Sequence, residues 1–308
     1  MIENVPTSDD LNRAALRLYF TAWTSLITIA TDFDQVYPDD EDWTEEKAEY
    51  LRGCQSDMQS CCTLIQQSNE LALKARVAEV SPYLLLFRND RKLSIKPEKL
   101  DFSDLRTLDA TDLPGAVNSF CTSPLSDEFI TDYNDVRKLR NKIVHLGSVD
   151  REFDPDALLK IMVRQFIELW PGRGWLAERY KFAQGSRYAA FHDGKYSSAE
   201  GDVYHQLYNT IELFTKSEFK RLFGADKNAR RYLCPTCYHS SEAANAGLDT
   251  SECLTAFLVP DKNLVRCAMC ENTFPVLREK CGSGDCKGNV LADGAEDIKG
   301  MCLTCSVY

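Results

Sequence analysis

Four short cysteine pairs near the end of the chain constrain its fold more than any other feature. They are Cys234-Pro-Thr-Cys237, Cys267-Ala-Met-Cys270, Cys281-Gly-Ser-Gly-Asp-Cys286 and Cys302-Leu-Thr-Cys305. Each pair forms a turn that aims two thiolates at one ion, and two such turns complete the tetrahedral four-sulfur shell that zinc prefers. Taken in sequence order, Cys234, Cys237, Cys267 and Cys270 form one set, and Cys281, Cys286, Cys302 and Cys305 the other. This gives two zinc ribbons, over 230–276 and 277–308. An interleaved cross-brace is the less favoured pairing, because Phe274-Pro275 after the second pair reads as the strand that closes a ribbon. Four thiolates leave no open coordination position, so two structural Zn2+ ions are expected and neither would be catalytic. Rubredoxin-like iron and disulfides are the other occupants the spacing allows. Cys253 and His239 lie beside these pairs and read as bystanders. Gly282 and Gly284 lack the preceding strand and following helix that a dinucleotide fingerprint needs.

Nine of the 13 cysteines fall in this terminal segment. A disulfide framework would need a secretory context, yet the opening MIENVPTSDD has neither a basic region nor an apolar run. No apolar stretch approaches the roughly 20 residues that span a bilayer; the densest, Tyr83 to Phe87, ends at Arg88. A soluble, cytoplasmic protein without a membrane partner is the expectation. The 308 residues suit about two domains. Their formal charge of −11 excludes a chain that coats nucleic acid through excess cationic charge, so any such surface must be local.

The first two thirds read as mainly α-helical. Ser8 can cap a helix with Asp9 and Asp10 in its first turn, followed by a stripe of Leu11, Ala15, Leu18, Ala22, Leu26 and Ile29. A second long helix is expected from about Trp43 to Ala78, with Glu70 and Lys74 as an i,i+4 pair. The acid-rich Asp32 to Glu46 between them, including Asp39, Asp40 and Glu41, reads as a solvated loop rather than a cation site. Ser126 opens a third helix with Phe129, Tyr133, Val136, Leu139 and Ile143 apolar, closing near His145 and Gly147. Asp156 to Trp170 and Val203 to Phe223 are further helices.

On the third helix, Asn141 and His145 stand four residues apart on one face, while Arg140 falls between Val136 and Tyr133 inside the apolar stripe. A guanidinium there needs an acid, a carbonyl or an anionic ligand. Arg140 and His145 are 140° apart around the helix, so a second copy of the helix or an unwound end would help both reach one phosphate. The segment RKLRNKIVHLG, Arg137 to Gly147, resembles the R-N-x-x-x-H signature of HEPN domains (higher eukaryotes and prokaryotes nucleotide-binding). Ser68 to Phe87 is similar to the second long helix of that all-helical family. The resemblance covers about 8–220 and implies a HEPN-like helical bundle, taken as a domain over 8–222, followed by the small β-rich zinc modules.

Many HEPN domains are metal-independent endoribonucleases, often toxins or antiviral defence effectors, with the active cleft formed where two copies pair. Carried onto this chain, the resemblance implies that Arg140 stabilises the charged phosphorane and that Asn141 positions the phosphate or the histidine. It implies that His145 moves protons to and from the 2′-OH and the leaving 5′-oxygen. RNA substrate, a homodimer partner and a protein regulator or antitoxin follow from it, with the zinc ribbons recognising substrate or partner. Two other readings stand beside it. One is a non-catalytic sensor or adaptor that dimerises through the helical domain and binds nucleic acid or protein, and the other is a scaffold subunit. In both, Arg140 pairs with Glu70 or another acid and His145 caps its helix.

Cys54, Cys61 and Cys62 read as small residues on a packed helix, and His192 and His205 as ordinary polar residues. Arg173, Arg179, Tyr180, Lys181, Phe182, Arg187, Tyr188, Phe191, Lys195 and Tyr196 interleave basic and aromatic types. That pattern suits single-stranded RNA, but a loop or hairpin packed on the helical core is the preferred reading.

Overall fold

The computed structural model describes residues 1–37, 42–86, 99–146, 152–192, 198–244, 249–294 and 296–308. Asp39, Asp40, Glu41, Phe87, Arg88, Gly147, Lys195 and Tyr196 lie outside these residues. The chain is mainly helical, with a small antiparallel sheet near its end. It divides into two compact units, Met1–Pro171 and Gly172–Tyr308. The division falls at 171/172 rather than near 222, so the helices over 175–223 belong to the cysteine-rich unit.

The first unit begins with a short strand β1 (Ile2–Glu3), which pairs in parallel with β2 (Leu100–Asp101). Its α-helices among the described residues are α1 (Ser8–Val36), α2 (Thr44–Gly53), α3 (Gln55–Val80), α4 (Leu113–Phe120), α5 (Asp127–Leu146) and α6 (Pro155–Leu169). The cap of α1 is Thr7 rather than Ser8: its hydroxyl accepts from the Asp10 N–H at 3.1 Å. The single long helix expected from 43 to 78 is broken at Cys54, leaving α2 without a buried residue and α3 with twelve. Composition accounts for the difference, since α2 (TEEKAEYLRG) is half charged, whereas α3 supplies Met58, Ile65, Leu73 and Val77 for burial.

On α1, Tyr19 packs on Phe20 and Trp23 at ring separations of 5.0 and 6.2 Å, and Tyr19 and Phe20 meet Phe166 and Trp170 of the α6 region at 5.5 to 6.3 Å. Tyr19 Oη donates to the Met162 carbonyl at 3.1 Å and Trp170 Nε1 to Asn12 Oδ1 at 3.0 Å, so the polar ends of these two rings are satisfied. Gln55 clamps the segment entering α6, donating to the Phe153 carbonyl at 3.0 Å and accepting its N–H at 2.8 Å. Asp154 then caps α6 by accepting from the Ala157 N–H at 3.1 Å. Among the described residues, no helix is long and apolar enough to cross a membrane.

The second unit starts with α7 (Trp175–Gln184), α8 (Ala199–Leu213) and α9 (Lys216–Phe223). The helix expected over 203–223 is interrupted at Phe214 and Thr215, where a reciprocal capping box between Thr215 and Glu218 starts α9 afresh. Gly224, at φ 71°, closes α9 in the left-handed conformation that a residue without Cβ adopts freely. The sheet follows, in the order β3 (Arg231–Leu233), β4 (Leu254–Leu258), β5 (Leu264–Cys267), β6 (Thr273–Leu277) and β7 (Leu291–Ala292), each pair antiparallel. One helix, α10 (Pro235–Ala244), leaves β3 and packs on α8. The two cysteine modules thus share one sheet: β6 pairs with β7, and the Leu233 N–H donates to the Leu303 carbonyl at 2.9 Å.

Candidate functional site

The strongest site geometry lies at the cysteine pairs. Cys234 follows β3 and Cys237 occupies the first turn of α10, while Cys267 ends β5 and Cys270 sits in the β5–β6 connection. Cys281 and Cys286 lie in the loop after β6, and Cys302 and Cys305 follow β7. The sulfurs of Cys234, Cys237, Cys267 and Cys270 lie within 4.8 Å of one another, as do those of Cys281, Cys286, Cys302 and Cys305. This is the sequential pairing. Individual separations are 3.8 Å for Cys234 and Cys270, 3.6 Å for Cys281 and Cys305, and 3.9 Å for Cys286 and Cys302. A tetrahedron with metal–sulfur arms of about 2.3 Å has edges of about 3.8 Å, so each group fits one metal ion.

Backbone amides point at these sulfurs and reinforce them as thiolates. Met269 N–H donates to Cys267 Sγ at 3.3 Å, Ser283 N–H to Cys281 Sγ at 3.4 Å and Gly288 N–H to Cys286 Sγ at 3.3 Å. Without a cation the four thiols of the first group divide their protons unequally. Cys237 is pushed up by neighbouring Cys234, Cys267 and Cys270, whereas Cys270 is held down by the other three. A divalent ion removes the conflict by holding all four as thiolates.

Gly288 is a functional residue that the cysteine spacing does not reveal. A Cβ at that position would lie 2.5 Å from Cys302 Sγ and 3.1 Å from both Cys286 Sγ and Thr304 Oγ1. The backbone therefore passes against the sulfurs of the second group, and only glycine fits there. Cys253 is fully buried outside both groups, and burial pushes its thiol up to about 12. His239 is exposed and joins neither group. Cys61 and Cys62 are core residues of α3, with burial raising Cys61 to about 11, so neither is an activated nucleophile.

Arg140, Asn141 and His145 all lie on α5, which packs against α3 and α6. Asp132 on α5 receives Arg164 of α6 at 2.8 Å, fixing the helix position. Val136 and Tyr133 are fully buried and Arg140 is half-buried beside them. The Arg140 guanidinium donates to Asn141 Oδ1 at 3.1 Å, and its Nε is buried without a hydrogen-bond partner. Among the described residues Arg140 has no acidic partner.

Glu70 instead accepts from Gln66 Nε2 at 3.2 Å, and Lys74 reaches Thr107 Oγ1 at 3.3 Å rather than Glu70. Burial, and then the Glu70 carboxylate, hold the Tyr133 phenol well above its ordinary range. Its hydroxyl donates to the Ala110 carbonyl at 2.7 Å. The structure thus joins Arg140 to Asn141 but leaves His145 exposed, without a hydrogen bond to either. Val144 and Leu146 flank it and are 52% and 71% exposed.

The described members of the basic and aromatic series from Arg173 do not form one surface. Arg179 is buried on α7, donates to Gln206 Oε1 at 3.2 Å and has its pKa lowered by burial to about 10. Tyr180 Oη donates to Glu200 at 2.5 Å, and Lys181 pairs with Glu178 at 3.0 Å. His192 lies 3.0 Å from Asp202. Phe191 is a large apolar side chain, 71% exposed. No family model matches the chain, and neither a curated protein nor a solved structure does.

Proposed function

We propose that this chain is a HEPN-type, metal-independent endoribonuclease that works as a homodimer and carries two structural Zn2+ ions. The observation that carries the reading is Arg140: a half-buried guanidinium set beside the apolar face of α5, joined to Asn141, with its Nε unpartnered and no acidic partner among the described residues. A half-buried cation left in that state suits an anionic ligand better than a purely structural role. Exposed Val144 and Leu146 beside His145 offer apolar surface for a second copy of the helix.

In the proposed reaction, His145 removes the 2′-OH proton and that oxygen attacks the adjacent phosphorus. Arg140 stabilises the charge on the phosphorane, and Asn141 holds the phosphate in register. Departure of the 5′-oxygen with a proton leaves a 2′,3′-cyclic phosphate and a 5′-hydroxyl. His145 of either copy serves as base or acid, since two copies pair at the cleft. The zinc ions act outside this chemistry, because four thiolates close each shell and leave no position for water or phosphate. The resemblance also supports a role as a toxin or antiviral effector restrained by a protein regulator.

The test is incubation of the purified zinc-loaded dimer with total RNA and a defined tRNA, beside Arg140→Ala and His145→Ala. Cleavage by the unaltered protein with cyclic-phosphate ends is expected. Each variant should lose about 10²-fold or more in rate while keeping its dimer. RNA binding without cleavage would instead support the sensor or adaptor reading.

A further inference from the structure

The second unit contains an open groove of about 660 Å³ between the end of α9 and strands β3 to β5. Its wall is apolar, built by Leu222, Phe223, Tyr232 and Phe257. Its charged lining is Arg173, Lys220, Arg221, Arg230 and Arg266 against two acids, Asp226 and Glu271. This concentration of cations is contrary to the chain's net charge of −11.

Both acids are already engaged. Asp226 Oδ1 accepts from the Asn228 N–H at 2.8 Å, closing a local turn. Glu271 lies 4.0 Å from both Arg266 and Lys181. Arg230 has no acidic partner among the described residues: its guanidinium sits 5.5 Å from the Tyr232 ring centre and donates to Thr304 Oγ1 at 3.1 Å. Lys220 and Arg221 form no ion pair among the described residues. Their place in the last turn of α9 suits the helix dipole, but that does not account for Arg230 and Arg266 facing the same groove from the sheet side.

The groove is far larger than one phosphate requires, and its apolar wall is a poor match for a bare anion. A strand that offers regularly spaced phosphates together with flat base and sugar faces satisfies both features. We propose that this groove binds a segment of single-stranded RNA, with Lys220, Arg221, Arg230 and Arg266 neutralising its backbone phosphates. The inference deepens the ribonuclease reading and rests on it for the identity of the strand, but it concerns binding alone.

The test uses the full zinc-loaded chain carrying His145→Ala, so that cleavage does not interfere. Binding of a fluorescent oligouridylate of about 12 nucleotides is followed by anisotropy between about 50 and 200 mM salt. Each lost phosphate contact should reduce the log–log salt slope by about 0.7. Lys220→Ala with Arg221→Ala should therefore lower the slope by about 1.4 and weaken binding at low salt about tenfold or more. Arg266→Gln, on the sheet side, is the independent second variant and should lower the slope by about 0.7.

Zinc content of two per chain verifies that each variant is folded. Wild-type slopes in every variant, or no salt-dependent binding by the parent, would overturn the proposal. Competition by a free mononucleotide at equal concentration would overturn it in favour of a small-ligand pocket, and equal competition by polyglutamate in favour of an acidic protein. Cleavage is scored separately in the unaltered chain. RNA binding through the groove without cleavage would thus sink the nuclease reading alone, and cleavage with unaffected groove variants would sink the groove alone.

Discussion

Replacing Gly288 with alanine should cripple the second metal site while leaving the first intact. The added methyl carbon would lie 2.5 Å from Cys302 Sγ, with Cys286 Sγ and Thr304 Oγ1 both at 3.1 Å. Ordinary contact begins at about 3.5 Å, so roughly 1 Å of separation must be recovered on the Cys302 side. A metal site tolerates displacements of only about 0.2 Å in its ligand distances. Cys302 cannot retreat easily, because its N–H donates to the Val307 carbonyl at 2.8 Å and its neighbour Leu303 is bonded to both Val290 and Leu233. Gly288 cannot retreat easily either, since its carbonyl accepts the Cys281 N–H at 2.9 Å.

Overpacking of this kind costs about 1 to 3 kcal/mol, which is a factor of about 5 to 150 in affinity for the ion. The assay is metal release to a chromophoric chelator, calibrated against total zinc. Unaltered protein should yield two slowly released ions per chain, and Gly288→Ala one slow and one fast or missing. Gly282→Ala and Gly284→Ala are the controls, because a Cβ at either position meets nothing within 4 Å. Two equally slow ions in Gly288→Ala would refute the argument that the backbone must pass this close to the sulfurs.

Three further outcomes follow from the same contacts. Prolonged chelation should melt the sheet of the second unit yet preserve most helical circular dichroism of the first, whose core around Tyr19, Trp23 and Phe166 involves no metal ligand. Thr215→Ala removes a reciprocal capping box and should lower stability by about 1 kcal/mol, read as a shift in the denaturant midpoint. Cys61, which burial holds up at about 11, should resist alkylation in the native protein at pH 8. A folded pKa above the unfolded value means its contribution to stability is complete below pH 9 and is lost as pH rises towards 11. Cys61→Ala should therefore flatten that part of an alkaline unfolding curve.

Helices were legible where local chemistry and periodicity agree. Asp127–Leu146 and Pro155–Leu169 have apolar stripes with caps at Ser126 and Asp154, and both form within a residue or two of the expected limits. The breaks were harder to read. Nothing in the hydrophobic pattern of 43–78 marks Cys54, where the burial of α3 begins and that of α2 is absent. At Phe214 and Thr215 the signal was present, as a threonine followed three residues later by a glutamate, but the continuous apolar spacing on either side masks it. The short α4 carries Pro114 in its first turn and has too few residues for its period to stand out.

The site divides along the same physical line. A C-x-x-C pair declares its chemistry locally, because turn geometry alone brings both sulfurs to one ion; the partner pair then needs only to arrive nearby, as β5 and β6 do for Cys267 and Cys270. Gly288 gives no such signal, since its necessity comes from Cys302 and Thr304, which approach from another part of the chain. The groove cations are equally silent: Lys220 and Arg221 read as a helix end, and Arg230 and Arg266 as isolated surface charges, until folding turns them towards one cavity. Arg140 lies between these cases. Its place among Tyr133 and Val136 follows from helical period, but whether it meets an acid depends on the fold: among the described residues it meets none, and Glu70, the acid the sequence offers, accepts from Gln66 instead. A half-buried cation without an acid is costly unless something anionic completes it. Arg140→Met, which keeps the length of the side chain and removes its charge, should consequently stabilise the RNA-free protein while abolishing cleavage, a pairing of effects that a salt-bridged structural arginine would not produce.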